Sequence, residues 1–235
     1  DLTTAVSSLS EGYGVGGIDK FGGVNIRCGI EDIVNVFANI DGTVNITAKD
    51  LQMVAIKSTG TQYFNTGITP DASTEIEMKY SVQSIMSLGP HILSTNNFYV
   101  PFIRSGANNS GYDFLASRLG NEIFTGLSPT ANTVYTVKAF PSNKIIINGT
   151  ECCILEAGNN TADNPLYMFT YGGSPGNSMY TGSSTIYYCK IWKSGTLVRD
   201  FVPHKSDDGT IGMMDLVENI FYISQGSGQF EAVYG

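Results

Sequence analysis

The stretch Ile186–Asp215, "IYYCKIWKSGTLVRDFVPHKSDDGTIGMMD", alternates apolar and polar residues on both sides of a short break at Lys193-Ser194-Gly195. Alternation with period two is the signature of a strand with one buried face, and a glycine-containing break between two such runs is a turn. The stretch therefore reads as two successive antiparallel strands, the second stopped by Pro203, followed by a glycine-punctuated loop. Alternation puts Tyr187, Cys189 and Ile191 on one face and Tyr188, Lys190 and Trp192 on the other. Arg199 and Asp200 are consecutive on a strand. They point to opposite faces, and each is expected to bond to a neighbouring strand or loop.

The same pattern extends outward. In "TEIEMKYSV" (74–82), Ile76, Met78 and Tyr80 share one face, while Glu75, Glu77 and Lys79 share the other. "TVYTVKAF" (133–140) alternates too. "NKIIINGTECCIL" (143–155) carries Asn148-Gly149 between β-rich runs, a type I′ hairpin signal. "PLYMFTY" (165–171) and "STIYYCKIWK" (184–193) are further strands, separated by a Gly/Ser-rich loop. "NIFYISQGSGQFEAV" (219–233) reads as a closing hairpin. Many short strands with polar turns define an all-β sandwich over residues 51–235.

Residues 1–50 differ. "SSLSEGYGVGGIDKFGGVN" (7–25) is glycine-rich and aperiodic. In "IEDIVNVFANI" (30–40) the apolar residues fall at helix-like spacing, although the β-branched content also suits a strand. Asp41-Gly42 marks a hairpin. The segment is too short and glycine-rich to bury much core alone, so it reads as an attachment or oligomerisation segment.

Composition bounds the function. The chain has 235 residues, 13 Lys and Arg against 21 Asp and Glu, and a net charge of −8. Such a surface repels phosphate backbones, which argues against a nucleic-acid partner. No run is long and apolar enough for membrane insertion, and a chain beginning at Asp1 reads as a mature form or a piece of a longer protein. The four cysteines show no zinc spacing. Cys152 and Cys153 are neighbours on opposite faces of a strand. One of them could meet Cys189 across a sandwich, but reduced, buried thiols are the simpler expectation.

Several blocks resemble a known family: "IKSTGTQYFNTGITPDASTEIEMKY" (56–80), "YTVKAFPSNKIIINGT" (135–150), "PLYMFTYGG" (165–173), "IYYCKIWKSGTLVRDFVP" (186–203) and "GTIGMMDLVENIFYISQGSGQF" (209–230). In this order, from about Val54 to Gly235, they look like the concanavalin A-like (LamG-type) jelly-roll domains of bacteriophage tail proteins and gut-bacterial surface proteins. The resemblance implies two curved antiparallel sheets with the first and last strands side by side, "TQYFNTGI" (61–68) pairing near "GQFEAV" (228–233), and it turns Tyr187, Cys189 and Ile191 toward the core.

Laminarinase-type glucanases of this fold carry two glutamates flanking an aspartate on one strand face, with their carboxyl groups about 5 Å apart in retaining enzymes. Here Glu75 and Glu77 share a face, Ile76 stands between them and the next residue of that face is Lys79, so the motif is broken. His91 and His204 lie near no nucleophile motif. The chain is therefore expected not to be an enzyme. Asp207, Asp208 and Asp215 could offer Ca2+ a set of oxygens at a sheet rim, although Asp-Asp-Gly is also a turn sequence. Sugar binding needs aromatic faces with amides and carboxylates beside them. Two loops supply that mixture, Arg104, Asn108, Asn109, Tyr112 and Asp113 in one and Tyr171, Asn177 and Tyr180 in the other, with Trp192 as a stacking platform.

The resemblance then implies a non-enzymatic phage tail or receptor-binding module that recognises a host cell-surface glycan. It would be carried on the virion as a homo-oligomer, a trimer, or with other tail proteins. The alternatives are a secreted or surface lectin-like domain of a gut bacterium and an unusual glycan hydrolase.

Overall fold

The computed structural model describes residues 15–18, 24–28, 32–38, 44–47, 52–83, 85, 91–105, 112–176 and 182–235, with the backbone alone at the strand residues before 48 and at 99–105 and 112. The chain divides into two compact units, Asp1–Gln52 and Met53–Gly235.

In the first unit β1 (Val15–Ile18), β2 (Val24–Cys28), β3 (Asp32–Ala38) and β4 (Val44–Thr47) form a four-stranded antiparallel sheet in chain order. Within the stretch 30–40, the described residues Asp32–Ala38 form a strand, β3. Ile33, Val34 and Val36 are stiff at χ1 and favour extended backbone, and pairing with β2 and β4 satisfies β3 on both edges. The Asp41-Gly42 turn itself lies outside the described residues, but the strands on either side of it pair from Ala38 with Val44.

In chain order the second unit continues with β5 (Met53–Ser58), β6 (Phe64–Asn65), β7 (Thr74–Val82), β8 (Leu93–Ser94), β9 (Phe98–Ser105), β10 (Tyr112–Arg118) and β11 (Asn121–Phe124). Then come β12 (Val134–Ala139), β13 (Lys144–Ile147), β14 (Thr150–Ile154), β15 (Tyr167–Met168), β16 (Ser184–Lys193), β17 (Thr196–Lys205), β18 (Ile211–Asp215), β19 (Ile220–Tyr222) and β20 (Glu231–Tyr234). A ten-stranded sheet runs β14-β13-β12-β7-β16-β17-β18-β19, with β5 joined to β16 and β20 to β5. A six-stranded sheet runs β11-β10-β9-β8-β15-β6. Every pairing is antiparallel.

One core lies between the two sheets. Ile56, Ile76, Met78 and Tyr80 enter it from the larger sheet, and Phe64, Phe98, Phe114 and Met168 from the smaller. Aromatic edges lock the layers together: the Tyr80 and Phe114 rings lie 6.2 Å apart and those of Phe64 and Phe201 5.6 Å apart, both edge-on. Each such side chain contributes about 1.5–3 kcal/mol by leaving water. At the β13–β14 turn Asn148 and Gly149 both have positive φ, 50° and 80°, as a type I′ turn requires. The Asn148 amide oxygen also accepts the Thr136 N–H, tying the turn to β12.

Several expectations from the sequence are corrected. β17 runs through Pro203 to Lys205, because its pairing with β16 ends at Phe201 and Pro203 pairs only with Met213 of β18. Residues 219–233 are not one hairpin: β19 pairs with β18, while β20 pairs with β5. The end of the chain does lie beside the start of the unit, but its strand partner is Met53–Ser58. "TQYFNTGI" instead meets the loop before β20, where Gln225 N–H donates to the Tyr63 carbonyl at 2.7 Å. Tyr187 is not a core residue. A bulge between Ile186 and Tyr188 inserts it on the outer face, where Lys79 Nζ sits 5.1 Å from its ring centre. The bulge falls where the partner of β16 on one edge changes from β5 to β17. Ile186, Cys189 and Ile191 are the buried residues. Cys152, Cys153 and Cys189 are free thiols. Burial pushes Cys153 up to about 11 and Cys189 higher still, so both stay protonated.

Candidate functional site

The inward residues of β7 (Ile76, Met78, Tyr80) force Glu75, Glu77 and Lys79 onto the outer face of the larger sheet. Antiparallel pairing then fixes their neighbours. On β16, Trp192 stands opposite Glu75, Lys190 opposite Glu77 and Tyr188 opposite Lys79. On β12, Lys138 stands opposite Glu77 and Thr136 opposite Lys79. After β12 the chain turns sharply at Phe140–Asn143 and brings Pro141 over the end of this face. A groove of about 170 Å³ results, lined by Glu75, Ile76, Glu77, Lys138, Pro141 and Trp192.

The turn that supplies Pro141 is held from beneath. Phe140, Ser142 and Asn143 all have positive φ, at 75°, 52° and 63°. For a buried phenylalanine this conformation is unfavourable by roughly 1–2 kcal/mol. The buried Arg118 compensates: it donates to Asn143 Oδ1 at 2.5 Å, to the Leu155 carbonyl at 3.3 Å and to the Ala72 carbonyl, and its guanidinium lies over the Phe140 ring.

The two groove glutamates differ. Glu77 Oε1 accepts the Tyr188 hydroxyl at 3.0 Å, and Oε2 pairs with Lys138 Nζ at 2.8 Å. Burial, and then the hydrogen bond to Glu77, push Tyr188 up to about 12, so the phenol keeps its proton and remains the donor. Glu75 has no ion pair or hydrogen bond among the described residues. Nearby lysines are engaged elsewhere, Lys190 with Asp200 at 3.4 Å and Lys193 with Asp71 at 2.7 Å.

Of the sugar-binding residues expected from the sequence, Trp192 lies in this groove. Asn108, Asn109, Asn177 and Tyr180 lie outside the described residues, and for Arg104 and Tyr112 the description stops at the backbone, on β9 and β10 of the other sheet. The Asp113 carboxylate braces its own sheet, accepting the Thr125 hydroxyl at 3.2 Å and the Gly126 N–H at 3.0 Å. The Tyr171 ring packs 5.1 Å from that of His91, and its hydroxyl donates to the Asn96 carbonyl at 3.3 Å. The structure therefore does not gather Asp113 and Tyr171 with Trp192.

The three carboxylates considered for Ca2+ are not gathered either. Asp207 and Asp208 lie in the β17–β18 turn, where Asp208 accepts the Ser206 hydroxyl and the Thr210 N–H. Those bonds hold its carboxyl at about 2. Asp215 is at the other end of β18, fully buried, where it accepts the N–H groups of Asp200 and Val217. Its Oδ2 faces Arg199 Nε at 3.5 Å. Among the described residues no group of three or more His, Cys, Asp or Glu side chains converges as a metal site. His204 is not a loop residue but part of β17, edge-on to Phe221 at 5.2 Å.

Lys138 and Pro141 were missed by sequence reasoning. The alternation of β12 puts Lys138 on the solvent face, but nothing local shows that β12 neighbours β7. The positive φ at Phe140 that swings Pro141 over the groove has no sequence signal, because phenylalanine seldom adopts it. The fold and groove define an all-β sandwich with a small cleft, mostly apolar in its lining, walled by an indole. No protein-family model, curated protein or solved structure significantly matches the chain.

Proposed function

We propose that Met53–Gly235 is a non-enzymatic carbohydrate-recognition module of the concanavalin A-like jelly-roll class, binding its sugar in the groove beside Trp192. The observation that carries this reading is the half-buried indole of Trp192 set directly opposite the unpaired carboxylate of Glu75 in that groove. An indole face stacks on the C–H surface of a pyranose, while carboxylates and a lysine beside it take up hydroxyl groups. Two features favour the fold class: two stacked antiparallel sheets, and first and last strands of the unit paired side by side.

Binding without hydrolysis is favoured by the state of Glu77. Both its oxygens are occupied, by Tyr188 and Lys138, so it is poorly placed to shuttle a proton or attack an anomeric carbon. On the resemblance to phage tail and gut-bacterial surface proteins, the module works on a virion tail against a host cell-surface glycan. The first unit, Asp1–Gln52, then attaches it to its carrier or to further copies of itself.

A glycan array probed with the full chain and with Trp192→Ala tests the proposal. Binding to a saccharide set that disappears in the variant supports it. A blank array, or binding indifferent to Trp192, overturns it. Reducing sugar released from a β-glucan and lost in Glu77→Gln would overturn the non-enzymatic part alone.

A further inference from the structure

Resting on that reading, we infer that the groove selects saccharides bearing a free, protonated amine, hexosamine units without N-acetylation, and that Glu75 is the residue that sets this preference. The charged groups around the groove are unequally engaged. Glu77 is neutralised by Lys138 at 2.8 Å. Arg118 lies within electrostatic reach of both Glu156 and Glu75, but its hydrogen bonds go to the Ala72 and Leu155 carbonyls and the Asn143 amide and to neither carboxylate. Lys190 and Lys193 pair with Asp200 and Asp71. Lys79, on the same face, lies over the Tyr187 ring. Glu75 is therefore the carboxylate of the groove that holds no hydrogen bond or ion pair among the described residues, in a chain whose net charge is −8.

The position of that charge matters as much as its sign. Glu75 and Trp192 are direct cross-strand neighbours, and both line the cleft. An ammonium group placed there meets a carboxylate as a charge-assisted acceptor and the negative face of an indole together. A neutral sugar uses the same carboxylate only through hydroxyl groups. A uronic or sialic acid brings a second negative charge to Glu75 and is rejected by like-charge repulsion. Recognition of the amine also explains why one glutamate of the pair is tied down and the other left unpaired: a single free carboxylate matches a single ammonium.

The test is calorimetric titration of the full chain, at mildly acidic pH and low salt, with three oligosaccharides of equal length: chitosan, its fully N-acetylated counterpart and oligogalacturonate. A simple diamine, cadaverine, is the fourth titrant. The expected result is that chitosan oligomer binds about tenfold more tightly than the N-acetylated form, the size of one charge-assisted hydrogen bond, and that oligogalacturonate does not bind. Glu75→Gln, with its melting temperature unchanged, should bring the chitosan and N-acetylated affinities together while binding itself survives. Equal affinities in the wild type, or a preference that persists in Glu75→Gln, overturn the assignment of Glu75 and leave the carbohydrate reading standing. Cadaverine binding as tightly as chitosan oligomer overturns the sugar as the ligand class. No binding by any saccharide here or on the array defeats the parent reading as well.

Discussion

The guanidinium carbon of Arg118 lies 4.7 Å from the centre of the Phe140 ring, and Phe140 holds a left-handed backbone at φ 75°. This contact joins the smaller sheet, through β10, to the turn that delivers Pro141 to the groove on the far face of the larger one. Replacing Arg118 with Ala should destabilise the second unit by about 2–4 kcal/mol, because it leaves buried acceptors without a donor. Urea denaturation would measure that. Arg118→Lys should recover little, since one ammonium cannot reach Ala72, Asn143 and Leu155 with the geometry of the fork. A fully stable alanine variant would show that the turn holds itself.

Asp215 is a second buried charge, on β18 of the larger sheet. It is fully buried between the Asp200 and Val217 N–H groups and Arg199, which is itself 7% exposed. Asp215→Ala should be unfavourable by about 1–3 kcal/mol, the effect of leaving the Asp200 N–H without its acceptor, because Arg199 keeps Glu218 as an ion-pair partner at 2.5 Å. Added Ca2+ should leave the melting temperature of the wild type unchanged, because Asp207 and Asp208 lie at the opposite end of β18. A calcium-dependent rise would contradict this placement.

Acid sensitivity has a traceable source. Burial opposes it, but hydrogen bonds from Lys193 and Ser73 draw Asp71 from 3.8 down to about 2. A carboxyl with a depressed folded value adds stability above its unfolded value and loses it as the pH falls, here from about 4 to about 2. Asp71→Asn should flatten the stability profile across that window, as read from melting temperatures at stepped pH.

His91 works over a higher range. Burial lowers it from 6.5 to about 3, so the folded protein keeps the imidazole neutral while the unfolded chain binds a proton. Stability is complete above 6.5 and should fall as the pH drops toward 3. In an NMR titration of the folded state, the His91 ring signals should not shift between pH 7 and pH 4, two readings that bracket most of this window. A titration near 6.5 would show that the ring is open to water.

Much of this was legible beforehand where it depends on local alternation. The inward set of β7 and the outward set Glu75, Glu77 and Lys79 follow from period two alone, as does the Asn148-Gly149 turn. Cys189, Ile191 and Trp192 also took their predicted faces. Tyr187 did not, because the bulge arises where β16 exchanges one neighbour for another, a long-range event with no local mark. At 30–40 the sequence leaves helix and strand both open, and sheet pairing on both edges of β3 decides for the strand over residues 32–38. Trp192, expected as a stacking platform, lines the groove, but its neighbours there could not be read locally, since Glu75, Lys138 and Pro141 reach it through contacts between segments far apart in sequence. Asp113 and Tyr171 suit binding by residue type, yet Asp113 bonds to Thr125 and Gly126, and Tyr171 contacts Asn96 and His91, away from Trp192.

The chain contains a single tryptophan, so its emission reports on the proposed site and on nothing else. The most direct test of the central claim is therefore fluorescence of the wild-type protein titrated with a saccharide that it binds on the array. The account predicts a saturable change in Trp192 emission whose midpoint matches the calorimetric affinity. Saccharide binding that leaves the emission untouched, and persists in Trp192→Ala, would contradict it.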